Sequence, residues 1–132
     1  MPTTEEIREI VKAEVEKIPD EKIFFTMRKL KMKYISPEAV EVMKYAIVFS
    51  QIKIPSEGDE IYRIPLNDLT LRYFSESKAN TRLDILHLLG DKKCLTLLRP
   101  NKPSLLTWVP SALFMQKYEG KEEGEPNELE QI

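Results

Sequence analysis

Cysteine and histidine are nearly absent from this chain of 132 residues, which contains one of each, Cys94 and His87. A single cysteine excludes an intrachain disulfide and a zinc site built from several thiolates. A single histidine excludes catalysis by two histidines and a histidine-rich metal site. Cys94 begins an apolar stretch, so we expect a buried structural thiol. His87 has only Asp84 one helical turn away and no nucleophile nearby, so we expect it on a helix surface.

Long apolar runs, positive net charge and glycine-rich loops are also missing. No apolar run approaches the roughly 18 residues of a membrane span, and the first ten residues are too charged for a signal peptide. The net charge of −2 argues against a binder held by bulk positive charge. The four glycines stand apart and form no phosphate-binding loop. We therefore expect a cytoplasmic protein without a membrane segment that is not an enzyme and uses no metal ion or cofactor.

The composition that remains is that of one folded domain with an appendage. Apolar residues make up 42% of the chain, which suffices for a core, and charged residues make up 32%, above the usual quarter. Lysine and glutamate are abundant while asparagine, glutamine and cysteine are few, a bias found in hyperthermophile proteins. A thermophilic archaeon, or its virus or plasmid, is the expected source.

The N-terminal third has helical periodicity. Apolar residues at steps of three and four predict a helix over residues 4–18, with Thr4 as its N-cap. Residues 21–35 fit both a helical face and a strand-like alternation of apolar residues with lysine. We prefer the helix, because Asp20 can cap it and its residues are good helix formers. Residues 1–35 are interpreted as a helical extension and, through the apolar stripe of the first helix, as the dimerisation element of a homodimer.

Ser36, Pro37 and Glu38 form a strong helix start, because serine caps, proline suits the first helical position and an acid follows. The helix that they begin is apolar on nearly two faces, so we expect it to be the central core helix. The remaining pattern predicts, in chain order, a turn at 55–60, a strand at 61–65, a helix at 66–74, a turn at 75–77, a helix at 78–89 stopped by Gly90, a strand at 94–98, a turn at 99–104, a strand at 105–109 broken by Pro110, and a helical turn or more at 111–118.

This order of elements from Pro37 to Val109 resembles the winged helix-turn-helix superfamily over about half of the chain. The resemblance implies a mainly α fold with a small β-hairpin, in which a winged helix-turn-helix domain at 36–118 carries extra N-terminal helices. It also implies binding to double-stranded DNA, with the recognition helix in the major groove and the wing on the backbone. The turn at 75–77 departs from the pattern, because it lacks the glycine common in helix-turn-helix corners.

The net charge of residues 66–110 is positive, which favours DNA binding. Residues 66–110 carry seven basic side chains against four acidic ones, and phosphate contacts supply most of the affinity for DNA. On an ideal helix Leu83 faces the core, whereas Asn80 faces solvent and can pair with adenine. The expected DNA-binding residues are Ser77, Lys78, Asn80, Thr81, Arg82, Arg99, Asn101 and Lys102. The predicted function is a DNA-binding transcriptional regulator. We expect a dimer, because a DNA site with two-fold symmetry has two half-sites and each needs its own recognition helix.

A protein-binding adaptor remains the alternative: a winged-helix subunit of a replication, transcription or similar assembly. Asp84 on the exposed face of the recognition helix repels phosphate, and the chain as a whole is mildly acidic. Residues 111–132 hold six glutamates against two lysines, so we expect an acidic flexible tail over 119–132.

Two further features each allow two interpretations. The densest basic cluster, at Arg28, Lys29, Lys31 and Lys33, is either a solvated face or a phosphate contact. Trp108 is expected to pack the wing against the core, and stacking on bases is the less favoured alternative.

Overall fold

The structure, a computed structural model, describes residues 3–55, 61–62, 64–75, 79–98 and 107–120, with the backbone alone at 55, 61–62 and 79–82. The expectation of a mainly α fold with a small β-hairpin is confirmed. The described helices are α1 (Thr4–Glu16), α2 (Asp20–Lys29), α3 (Pro37–Gln51), α4 (Asp68–Phe74), α5 (Ala79–Asp91) and α6 (Ala112–Tyr118). The described strands are β1 (Ile54–Pro55), β2 (Ile61–Tyr62), β3 (Leu95–Leu98) and β4 (Thr107–Pro110).

Side-chain caps explain where the helices begin. The Ser36 hydroxyl accepts from the amide of Ala39 over 3.1 Å, so the predicted start of α3 is confirmed. In α1 the N-cap is Thr3, and the prediction of Thr4 is wrong. Thr3 and Glu6 bond to each other's backbone amides as a capping box, which requires an acid three residues after the cap. Thr4 has an isoleucine at that spacing and cannot close such a box.

The predicted helix over 21–35 is only partly correct, because α2 ends at Lys29. Asp20 does not cap α2: it is the first helical residue, and Pro19 occupies the cap position. Lys31 has a left-handed φ of 65°, which ends the helix. The chain turns there because Met32, which is 3% exposed, enters the core.

Gly90 does not stop α5, contrary to the prediction, because the helix continues to Asp91 and Lys93 takes the left-handed position with φ 65°. Gly90 has a different role. A Cβ atom there would lie 2.7 Å from Cζ3 of Trp108, so the indole ring packs directly on the helix backbone.

The prediction that Pro110 breaks its strand is also wrong. Pro110 pairs with Leu95 as the last residue of β4, a position at which proline is tolerated.

The core is a single cluster with α3 at its centre, as the sequence predicts. The side chains of Val11 from α1 and Ile23 and Met27 from α2 are fully buried in the same cluster as those of α3 and α5. Helix α3 contacts α1, α2, α5 and β4. The two N-terminal helices therefore complete the core around α3. Their role as a dimerisation element stays a prediction.

The hairpin pairs β3 with β4 in an antiparallel register from Leu95↔Pro110 to Leu98↔Thr107. Leu66 adds an antiparallel bridge on the outer side of β4, where the amide of Trp108 donates to the Leu66 carbonyl over 2.9 Å. The strand predicted at 61–65 is shorter: β2 pairs with β1, a partner that the sequence pattern did not reveal. The turn predicted at 55–60 begins too early, because Pro55 is the last residue of β1, and residues 56–60 lie outside the described residues. The turn predicted at 99–104 and residues 121–132 of the predicted tail also lie outside them.

Candidate nucleic-acid interface

Helix α3 holds the end of α4 and the first residue of the connection to α5. The Tyr45 hydroxyl donates to the Phe74 carbonyl over 3.0 Å, inside the core. The Ser75 hydroxyl donates to the carboxylate of Glu41. Two polar contacts from one helix therefore fix the point at which the chain leaves α4 for α5.

The start of α4 is fixed just as firmly. Asn67 and Thr70 form a reciprocal cap, in which the Asn67 side chain accepts from the Thr70 amide over 3.0 Å. The preceding residue, Leu66, is fully buried and donates its amide to the Thr107 hydroxyl over 2.9 Å. Because Thr107 belongs to β4, this contact ties α4 to the hairpin that follows α5.

The residues predicted to contact DNA lie outside the part of the chain whose side chains are described. Asn80, Thr81 and Arg82 have helical backbone in the N-terminal half of α5. The others lie outside the described residues, in the connection before α5 and in the segment between β3 and β4; these are Ser77, Lys78, Arg99, Asn101 and Lys102. Their assignment to DNA contact stays a prediction.

The described outer face of α5 is apolar and acidic. Leu83 and Leu88 are 50% and 41% exposed, and Asp84 is exposed beside them. The prediction that Leu83 faces the core is wrong, because the buried face is formed by Ile85, Leu86 and Leu89. Burial of Ile85 rotates that face away from Leu83. The prediction that Asp84 faces solvent is confirmed.

His87 and Trp108 meet at the junction of α5 with the hairpin. His87 is exposed on the helix surface, as expected, and its ring meets the Trp108 ring edge-on, with 5.7 Å between centroids. Trp108 is half-buried and packs over Gly90, so its predicted packing role is confirmed. These contacts make the pair part of the support for α5.

Cys94 is a buried structural thiol, as predicted. It is fully buried at the start of the hairpin, and its Sγ atom lies 3.6 Å from Sδ of Met32. Burial raises the pKa of the Cys94 thiol from 9.0 to about 11. The thiol is therefore protonated near neutral pH and is a poor nucleophile.

A second basic surface lies where α2, α5 and α6 come together. A groove of about 270 Å³ is lined by Lys29, Leu30, Lys31, Lys92, Lys93, Leu113 and Lys117. The sequence pattern identified only the cluster at Arg28, Lys29, Lys31 and Lys33, of which Lys29 and Lys31 line this groove. The other lysines follow by more than sixty residues, and no local periodicity could have joined them to the first group.

Neither a metal site among the described residues nor a similar protein of known function indicates what this chain does. Within the described ranges, no three histidine, cysteine, aspartate or glutamate side chains come together in a way that could hold a metal ion. In the same ranges, no helix combines the length and the apolar character needed to cross a membrane. The chain has no significant match to a family model, to a curated protein or to a solved structure.

Proposed function

We propose that this chain is a winged-helix DNA-binding protein, a transcriptional regulator that inserts the N-terminal half of α5 into the major groove. The main-chain bridge between Leu66 and Trp108 is the observation that carries this proposal. It joins the segment before α4 to the hairpin after α5 through one antiparallel bridge, so the two ends of the helix pair are tied together. The winged-helix arrangement requires this connection, and the order of elements alone does not supply it.

The geometry of the helix pair supports the same proposal. Helices α4 and α5 pack against each other, and residues 75–78 separate them. That length suits the short turn of a helix-turn-helix unit. Tyr45 and Glu41 hold the start of this connection on α3. These contacts fix the end of α4, against which α5 packs.

The proposed contacts divide into two kinds. Arg99 and Lys102, on the segment between β3 and β4, supply phosphate contacts that are independent of base sequence. Asn80 on α5 supplies base readout, since an asparagine side chain can bond to adenine through two hydrogen bonds. The two kinds respond differently to mutation, which makes them separable.

A salt-dependent titration of variants against DNA tests this division. The preferred duplex is first selected from a random library and then compared with an unselected duplex. Arg99→Ala and Lys102→Ala each weaken binding to both duplexes and reduce the salt slope by about one. Asn80→Ala costs roughly 1–3 kcal/mol on the selected duplex and little on the other. Lys53→Ala, at an exposed lysine outside α5 and the hairpin, is the matched control.

Parent-like binding by all three variants would contradict the proposal. A uniform loss for Asn80→Ala on both duplexes would contradict base readout while leaving the phosphate contacts in place.

A protein-binding adaptor is the second candidate, and the described outer face of α5 favours it. Leu83, Asp84 and Leu88 present apolar and acidic groups where a DNA reader needs cations. Apolar side chains without balancing lysines are typical of the centre of a protein interface. If the parent binds neither duplex, and if Leu83→Asp releases a protein that co-purifies with the parent, the adaptor replaces the DNA reader.

A further inference from the structure

The C-terminal ends of α2 and α5 have the same geometry and lie side by side. Each ends with a left-handed lysine, Lys31 or Lys93, both with φ 65°. The amides of the next residues, Met32 and Cys94, donate to the carbonyl five residues back over 3.2 and 2.9 Å, as in a Schellman motif. The side chains of Met32 and Cys94 are buried and meet through their sulfur atoms. This contact brings the two left-handed lysines to one surface.

Five lysines from three elements line the resulting groove, which we call the lysine groove: Lys29, Lys31, Lys92, Lys93 and Lys117. Leu30 and Leu113 lie between them, and no acidic side chain is among the described residues that line it. The described lining of the groove therefore consists of lysine and leucine residues.

The positive charge of the lysine groove is not balanced locally. The C-terminal ends of α2, α5 and α6 each contribute about −0.5 charge, which offsets fewer than two of the five lysines. Among the described residues none of the five forms an ion pair, whereas Lys17 and Lys44 on other surfaces bond to Glu14 and Asp20. The groove thus keeps an excess of positive charge in a chain whose net charge is −2.

The left-handed backbone at Lys31 and Lys93 lowers the free energy of unfolding relative to glycine at the same positions. Left-handed φ places Cβ too close to the following carbonyl, at roughly 1–2 kcal/mol per residue, and glycine or asparagine usually occupies such helix ends. Both positions carry lysine instead. Lysine recovers part of this cost, about 0.3–1 kcal/mol, through its interaction with the negative end of the helix dipole. The part that is not recovered favours a role for the ammonium groups outside folding.

We propose that the lysine groove binds the phosphates of a nucleic-acid backbone without regard to base sequence. The inference rests on the proposed function for its class of ligand, but it places the contact on a different surface from α5 and the hairpin segment. Lysine is a strongly hydrated point charge that binds phosphate without demanding one fixed geometry. A chain of phosphates carries negative charge only, so it complements a groove that has five lysines and no acidic side chain among its described lining residues. An acidic protein surface normally also carries lysines and arginines, which such a groove would repel.

The position of the groove separates it from the contacts proposed for the hairpin segment. Strand β3 begins just after Lys93 and runs toward the segment that contains Arg99. Its four residues span roughly 13 Å. The lysine groove and the proposed hairpin contacts therefore lie at opposite ends of one strand.

The double variant Lys31→Gly/Lys93→Gly tests the inference without damaging the fold. Glycine suits both left-handed positions, so the midpoint of thermal unfolding stays equal or rises. For an unselected duplex, the plot of log affinity against log salt concentration loses about two units of slope, since each phosphate contact contributes about 0.9. Lys12→Ala/Lys53→Ala, which removes the same charge from residues outside the groove, is the matched control and leaves the slope nearly unchanged.

Parallel measurement of Arg99→Ala/Lys102→Ala separates this inference from the proposed function. A loss of slope in both pairs supports both statements. Loss only in the Arg99/Lys102 pair overturns the lysine groove, and loss only in the Lys31/Lys93 pair overturns the phosphate contacts proposed for the hairpin segment. A third outcome is that Lys31→Gly/Lys93→Gly has the same salt slope as the parent in the full chain, and a smaller slope only after residues 121–132 are deleted from both proteins. In that case the glutamates of the deleted segment compete for the groove. That result also overturns nucleic acid as its ligand in the full chain.

Discussion

Sγ of Cys94 lies 3.6 Å from Sδ of Met32, and this contact joins two helix ends that are 62 residues apart in the chain. Both side chains are buried. The contact fixes the end of α2 against the start of the hairpin, which is the point where α5 passes into β3. The same contact therefore supports both the proposed reading helix and the lysine groove.

The burial of Cys94 predicts a loss of stability at high pH. Because burial raises the pKa of the thiol to about 11, the folded state favours the protonated form. Its contribution to stability is complete below pH 9 and is lost as the pH rises through about 11. Urea unfolding at pH 8 and pH 11 measures this loss, and Cys94→Ala is the control. An equal loss of stability in the parent and in Cys94→Ala would contradict the assignment to this thiol.

Gly90→Ala is expected to destabilise the protein although alanine favours helices. The gain in helix propensity is about 1 kcal/mol. The new Cβ, however, would lie 2.7 Å from Cζ3 and 3.0 Å from Cη2 of Trp108, and overpacking of this kind typically costs 1–3 kcal/mol. Thermal unfolding and the emission maximum of the tryptophan measure the effect. In a Trp108→Leu background the same substitution has room and stabilises α5, so destabilisation in that background would point to another cause.

Ile10→Asp tests whether α1 is the dimer element. Ile10 is 48% exposed beside an apolar groove between α1 and α3, whereas its neighbour Val11 is fully buried. If the face around Ile10 joins two copies, the variant has half the mass of the parent in light scattering and an unchanged fold by circular dichroism. Thr4→Asp, at an exposed position about 120° around the same helix from Ile10, adds the same charge and keeps the parent mass. An unchanged mass with lowered stability would assign Ile10 to packing within one chain.

Asp84→Asn tests the electrostatics of the outer face of α5. Asp84 is exposed on that face, so neutralising it removes repulsion of DNA phosphate. We expect tighter binding to an unselected duplex, with the largest gain at low salt. Glu9→Gln, on the exposed surface of α1, is the control for net charge alone. Equal gains from both variants would show that Asp84 does not face the DNA.

The local signals in the sequence predicted the start of α3, but they misplaced the caps of α1 and α2 and the end of α5. Ser36 with Pro37 acts through short-range capping, which depends only on neighbouring residues. Glycine is typical of a helix C-terminus, but Gly90 lies inside α5 because the Trp108 ring, eighteen residues later in the chain, packs against its backbone and leaves no room for a Cβ atom. Lys93 takes the stop position because Cys94 must enter the core.

The candidate site could be predicted only in part for the same reason. The position of Asp84 follows from helical periodicity, and the structure confirms that it is exposed. Leu83 was misplaced because the core face of α5 is set by the partners of Ile85 in other elements. The lysine groove depends on the contact between Met32 and Cys94, and no pattern within one element encodes it.

The most direct test of the central claim is a salt-dependent titration of the unmodified chain with duplex DNA. If the chain binds DNA as proposed, log affinity falls linearly with log salt concentration, with a slope steeper than about −2, because several lysines and arginines each release about 0.9 counterions. A slope near zero, or no binding at low salt, would contradict the claim that this chain is a DNA-binding protein.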